Sequence, residues 1–150
     1  MRDAFAIALT LAILGGPLQG QRAREWQFQA TATVGEEHFL GGGVGLALRT
    51  GGRMRAALVT NVGAMEGEPA FRPEVLAFFH LNPFKRSGVA PYVGGGVTAV
   101  FCAGGTREYI VAVGGLEWRP GAPTGWFAEV GVGGGVRLAA GIQLRRRLRR

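Results

Sequence analysis

Residues 26–34, Trp-Gln-Phe-Gln-Ala-Thr-Ala-Thr-Val, alternate an apolar side chain with a polar one without a break. A period of two is that of a β-strand, whose successive side chains point to opposite faces. The same period recurs along the rest of the chain. Leu40, Val44, Leu46 and Leu48 oppose Gly41, Gly43, Gly45 and Arg49, and Met54, Ala56, Leu58 and Val62 oppose Arg53, Arg55 and Asn61. Phe71, Val75, Phe79 and Leu81 oppose Arg72, Glu74 and His80. Val93, Val97, Ala99 and Phe101 oppose Tyr92, Gly94, Gly96 and Thr98. Ile110, Ala112, Leu116 and Trp118 oppose Arg107, Tyr109 and Glu117. Trp126, Ala128, Val130 and Val132 oppose Glu129, Gly131 and Gly133. Finally, Val136, Leu138, Ala140, Ile142 and Leu144 oppose Arg137, Gly141, Gln143 and Arg145.

Each segment is about the 9–11 residues that a tilted strand needs to cross a bilayer. Turn-forming clusters separate the segments, among them Thr50-Gly51-Gly52, Glu66-Gly67-Glu68-Pro69 and Pro120-Gly121-Ala122-Pro123. Links this short suit antiparallel neighbours and leave no room for crossover helices. The expected fold is all-β, an eight-stranded antiparallel up-and-down meander. Its even strand count lets it close into a transmembrane barrel without edges.

Composition agrees with this. The chain holds 27 Gly in 150 residues, too many for a helical bundle, because Gly is costly inside helices. With no Gly-X-Y period and 7 Pro, a collagen is excluded, and 47% hydrophobic residues exclude a disordered chain. The length suits one domain. Lys85 is the lone Lys among many Arg, a bias that a GC-rich genome produces without any function. The net charge of +7 and the pI of 11.2 therefore carry little weight. A single cysteine, Cys102, permits no internal disulfide and no multi-cysteine metal site.

Met1-Arg2-Asp3, the apolar run Ala4 to Leu14 and the small and turn residues up to Ala23 have the charged, apolar and small-residue layout of a signal peptide. The apolar run is too short to cross about 30 Å of hydrocarbon as a helix. The expected division is a signal peptide over residues 1–23, cleaved after Gly20 or Ala23, and a barrel domain over 24–150 ending in the basic tail Arg145 to Arg150. No other stretch is long and apolar enough for a membrane helix, so any membrane role falls to strands.

The interior of an eight-stranded barrel is just wide enough to be filled by side chains. A soluble outer surface is about a quarter to a third charged. The rows opposite the bulky residues are instead rich in Gly, Ala and Thr, with no Lys or Asp. Such rows fit a crowded interior, which assigns the bulky Leu, Val, Phe and Trp rows to lipid. The converse assignment is a soluble periplasmic lipocalin-like barrel that binds a small apolar ligand. Charge follows the links as well. Glu36, Glu37, Glu66, Glu68 and Glu108 fall at the end expected to face outward. Arg49, Arg53, Lys85, Arg86, Arg119 and the tail gather at the other. Trp26, Trp118 and Trp126 fall near the basic end, where an interfacial aromatic girdle sits.

Ala90 to Val97, Ala-Pro-Tyr-Val-Gly-Gly-Gly-Val, has the Pro-Tyr-x-Gly-x-Gly pattern that opens a strand after a periplasmic turn in the OmpA-like, or opacity-type, family of small outer-membrane β-barrels. Val75 to Phe84 resembles the strand leading into that turn, and Gly135 to Leu148 resembles the family's last strand. The chain thus resembles this family over its expected mature length. The resemblance implies a bacterial outer-membrane location, with outer-membrane lipid and the outer-membrane assembly machinery as partners. Two departures stand out. Leu148, followed by Arg149 and Arg150, occupies the place of the family's terminal aromatic, and the links at the expected outer end are short. The second puts receptor or adhesive roles in doubt, because such functions live in long loops.

Residues able to do chemistry are few. His38 and His80 are the only histidines, Ser87 the only serine and Asp3 the only aspartate. A Ser-His-acid set would need Ser87 and His80 with Glu74, and the meander spreads these along the barrel. His80-Leu81-Asn82 does not match the His-x-Ser arrangement of small barrel enzymes that deacylate lipopolysaccharide. No catalytic, cofactor-binding or metal-ligating set emerges, and Cys102 has no neighbouring pair of basic residues to activate it. Arg53, Arg55, Arg72, Arg107, Arg137 and Arg145 share rows with Glu74, Glu117 and Glu129. Charges inside a barrel must be paired or hydrated, so these nine are expected to form a salt-bridged lumen network. The surplus of Arg leaves open a narrow anion-favouring pore. The tail could meet anionic headgroups, and no nucleic-acid partner is expected of an exported chain. The expected function is that of a non-enzymatic outer-membrane barrel with a mostly filled lumen and a structural role in the cell envelope.

Overall fold

The computed structural model describes residues 23–50 and 52–147. The expected signal peptide, residues 1–23, lies outside the described part apart from Ala23. The last three residues of the basic tail lie outside it too. Eight strands follow in order: β1 (Ala23–Val34), β2 (Phe39–Arg49), β3 (Met54–Met65), β4 (Glu68–His80), β5 (Val89–Cys102), β6 (Gly105–Trp118), β7 (Thr124–Val132) and β8 (Val136–Arg147). Each pairs antiparallel with the next, and β8 pairs with β1, so the sheet is a closed meander barrel.

Closure is staggered. Stepping between partners from Arg24 to Leu48, Ala56, Ala77, Gly95, Ala112, Val132 and Val136 returns to β1 at Val34, not at Arg24. Such a shear tilts the strands against the barrel axis. Glu66-Gly67 is a two-residue link with φ values of 52° and 83°, the two positive values that a type I′ hairpin demands.

The period read from the sequence maps onto the wall. Bulky residues point out, among them Trp26, Leu40, Leu58, Val93, Ile110 and Leu138, and Ile110 is 82% exposed. The other rows point in and are buried. Their glycines make room for large neighbours directly across the ladder. Gly94 opposes Phe78, Gly115 opposes Tyr92, Gly43 opposes Asn61 and Gly131 opposes Val113. A Cβ at Gly115 would lie 2.5 Å from Tyr92 Cζ, a clash rather than a contact. The glycine rows thus concede volume to their larger partners across the ladder. One side of the lumen is apolar, built by Val59, Leu76, Phe78, Val111 and Val113. Phe39, Met65, Ala70 and Val100 form a second buried cluster toward the end that carries the acidic links.

Candidate functional site

The remainder of the lumen is polar and falls into two ionic clusters. Strand ends at the basic mouth supply the first: Glu25 opens β1, Arg49 ends β2, Arg55 opens β3, His80 ends β4, and Glu117 and Arg145 lie near the ends of β6 and β8. Glu25 accepts from three guanidiniums: Arg49 Nε at 2.7 Å, Arg55 Nε at 2.8 Å and Arg145 Nε at 3.2 Å. Glu117 accepts from Arg49 Nη2 at 3.1 Å and from Arg145 Nη2. His80 Nδ1 lies 3.1 Å from Glu117 Oε2. Arg55 also reaches Gln27, and its guanidinium lies 5.0 Å from the centre of the Phe78 ring.

The second cluster sits deeper. Glu74 on β4 accepts from Arg137 Nη2 at 2.8 Å and from Arg72 Nε at 3.0 Å. Glu129 on β7 accepts from Arg137 Nη1 at 2.7 Å and from the Tyr92 hydroxyl at 2.9 Å. Arg72 finishes its set on Thr33 Oγ1 at 2.7 Å and the Gly133 carbonyl at 2.9 Å. Tyr92 ties the clusters together, because its ring stacks on His80 at 4.9 Å between centroids. A ladder of neutral groups runs along β1 beside them: Gln27 donates to Gln29 at 2.6 Å, and Gln29 to Thr31 at 2.7 Å and Asn61 at 3.0 Å. These contacts join side chains of different strands across the lumen.

Of the nine residues expected in the lumen network, seven lie inside: Arg55, Arg72, Glu74, Glu117, Glu129, Arg137 and Arg145. Arg53 does not. The β3 ladder starts only at Met54, so strand parity does not govern Arg53, and its guanidinium lies outside over the Phe79 ring, 5.9 Å from the centroid. Arg107 stands at the acidic rim, where its Nη2 pairs with Glu37 at 2.6 Å and both side chains meet solvent. Sequence reasoning missed Glu25, and it set Arg49 on the row of Gly45 but left it out of the network. Parity could have found Glu25, which continues the row of Gln27 and Gln29. Ser87 is exposed in the link between β4 and β5, His38 is exposed at the opposite end, and His80 is buried beside Tyr92. The one serine and the two histidines are not brought together. Trp118 and Trp126 stack nearly parallel on the outer wall at 5.8 Å.

Neither protein-family models nor curated protein sequences match the chain. Solved structures do. The N-terminal β-barrel domain of Pseudomonas aeruginosa OprF superposes with a TM-score of 0.62 at 16% identity, covering 85% of this chain and 100% of that one. The outer membrane protein OprG of the same organism gives 0.62 at 8% identity, over 88% and 100%. Neisserial surface protein A gives 0.59 at 12% identity, over 82% and 96%. The fold is that of small eight-stranded outer-membrane barrels.

Proposed function

We propose that this chain is a non-enzymatic barrel of the bacterial outer membrane whose plugged lumen makes it a structural component of the envelope. The distribution of side chains carries the reading. Large apolar residues cover the outer wall on every strand, and Glu25, Arg55, Glu74, Glu129 and Arg137 are turned inward and paired. In water this arrangement would expose a belt far larger than the few hundred Å² of contiguous apolar surface that soluble monomers tolerate. In a bilayer it removes that belt from water and leaves every strand hydrogen-bonded on both edges. A soluble lipocalin-like barrel would need the bulky rows inside.

Trp26, Trp118 and Trp126 beside the basic mouth then form an interfacial girdle, with Arg24, Arg53 and Arg146 toward the headgroups. Outer-membrane lipid is the partner of the wall, and the assembly machinery would insert it. The ion pairs across the lumen support a plug rather than a pore.

Fractionation tests the location: the processed chain should sediment with outer membranes, need detergent for release, and run as a heat-modifiable band. A protein that stays soluble and monomeric without detergent overturns the membrane reading. Planar bilayers test the plug, and steady channels across a range of voltages overturn it.

A further inference from the structure

We propose that the basic mouth of the lumen binds one small inorganic anion, of the size of a halide, between Arg49 and Arg55. The inference rests on the lumen's own geometry and stands apart from the membrane location.

The mouth cluster holds a surplus of positive charge. Among the described residues, three guanidiniums, those of Arg49, Arg55 and Arg145, share the two carboxylates of Glu25 and Glu117. The deeper cluster sets two guanidiniums against two carboxylates. Arg145 is satisfied, since its Nη1 donates to the carbonyls of Arg119 at 3.3 Å and Ala122 at 2.8 Å, and its other nitrogens reach Glu25, Glu117 and Gln143. The surplus therefore rests on Arg49 and Arg55. These two are direct cross-strand partners on β2 and β3, a juxtaposition that destabilises a sheet when both carry the same charge.

Hydrogen bonding points to the same place. Arg49 and Arg55 each turn Nε toward Glu25, and each leaves Nη1 buried without an acceptor. Gln143, whose Oε1 is taken by Arg145 Nη2, leaves Nε2 without one. Neither ring nitrogen of His80 makes a hydrogen bond. Every unpartnered buried side-chain nitrogen found among the described residues belongs to this cluster, and none to the deeper one. Arg55, His80 and Gln143 are at most 1% exposed. The guanidinium nitrogens of Arg49 and Arg55 and the amide nitrogen of Gln143 are donors and call for an acceptor, and the surplus charge calls for one that is negative. A water molecule would meet the first need only. Phe78 beneath Arg55 and Tyr92 beneath His80 floor the site with rings, which suits a compact ion better than a ligand carrying a tail.

The purified protein, folded in detergent, is unfolded in urea at constant ionic strength with sodium chloride replacing sodium gluconate step by step. The unfolding midpoint should rise with chloride and level off as the site fills. In Arg55→Gln the cluster balances at two and two, and this saturable rise should vanish. Should that variant fail to fold, Arg49→Gln makes the same test. Crystals grown in bromide should show an anomalous peak between Arg49 and Arg55. An equal chloride response in wild type and variant overturns the proposal. So does the absence of a chloride response, a water at the site in bromide crystals, or bromide confined to the outer wall as an adventitious ion only.

Discussion

The two ionic clusters of the lumen use the same residue types and differ in how completely they are closed. Around Glu74 and Glu129, two arginines and a tyrosine hydroxyl meet two carboxylates, and no side-chain nitrogen is left over. Around Glu25 and Glu117, three arginines and a histidine crowd two carboxylates, and several nitrogens have no acceptor. Depth accounts for the contrast. The deeper cluster lies between the apolar cluster at the acidic end and the Tyr92–His80 stack, where an unpaired charge would be most costly. The mouth cluster borders the link carbonyls that Arg145 reaches, and its Arg49 and Arg145 side chains keep 8% and 6% exposure where those of Arg72 and Arg137 keep 1% and 0%. An imbalance can persist there because water and ions are close at hand.

Breaking the deeper cluster should therefore have the largest effect. Glu74→Gln leaves Arg72 buried without a carboxylate and Arg137 with Glu129 alone, and removing one member of a buried ion pair costs about 3–5 kcal/mol. The expected result is a strong fall in the urea midpoint of the detergent-folded barrel, followed by its heat-modifiable band. Replacing Glu74 and Arg137 together with leucines should recover little of that loss, since Arg72 and Glu129 are then both left buried without an ionic partner. A Glu74→Gln barrel as stable as wild type would mean that the cluster is hydrated and that depth is not what separates the two.

The mouth provides the second comparison. Glu25 touches three guanidiniums where Glu74 touches two, so counting contacts ranks Glu25→Gln as the worse substitution. Access to solvent reverses that order. Water can reach the released arginines, and the loss should be about 1–3 kcal/mol, smaller than for Glu74→Gln. A larger loss at Glu25, measured in the same assay, would show that contact number outweighs depth.

The contrast between the clusters was only partly legible in the sequence. Strand period separated the two faces of the wall, and the scarcity of charge on the glycine-rich rows told the inner from the outer. That was enough to place Arg55, Arg72, Arg137 and their carboxylates inside. Parity misled where the ladder stops, as at Arg53, because the alternation is enforced by hydrogen-bonded pairing and not by the chain alone. Glu25 was missed because it precedes the first tryptophan of the alternating stretch. Which arginine meets which carboxylate could not be read at all. Arg137 on β8 reaches Glu74 on β4 across the lumen, and that encounter depends on the stagger accumulated around the barrel. The glycine rows showed that the interior is crowded, but their pairing with Phe78 and Tyr92 became visible only through register.

Arg107 marks the exposed limit of the same series. Its row faces inward, yet it stands at the acidic rim, where its pair with Glu37 is open to solvent on both sides. An exposed pair gains little Coulomb energy in water and loses side-chain freedom in forming, so such pairs contribute about 0–1 kcal/mol. Arg107→Ala should shift the urea midpoint least of the three substitutions, and the small loss should shrink further in high salt, which screens exposed charges. A loss comparable to that of Glu74→Gln, unmoved by salt, would place the rim pair in an environment as dry as the lumen's centre. The gradient from mouth to centre to rim would then have to be explained by something other than access to water.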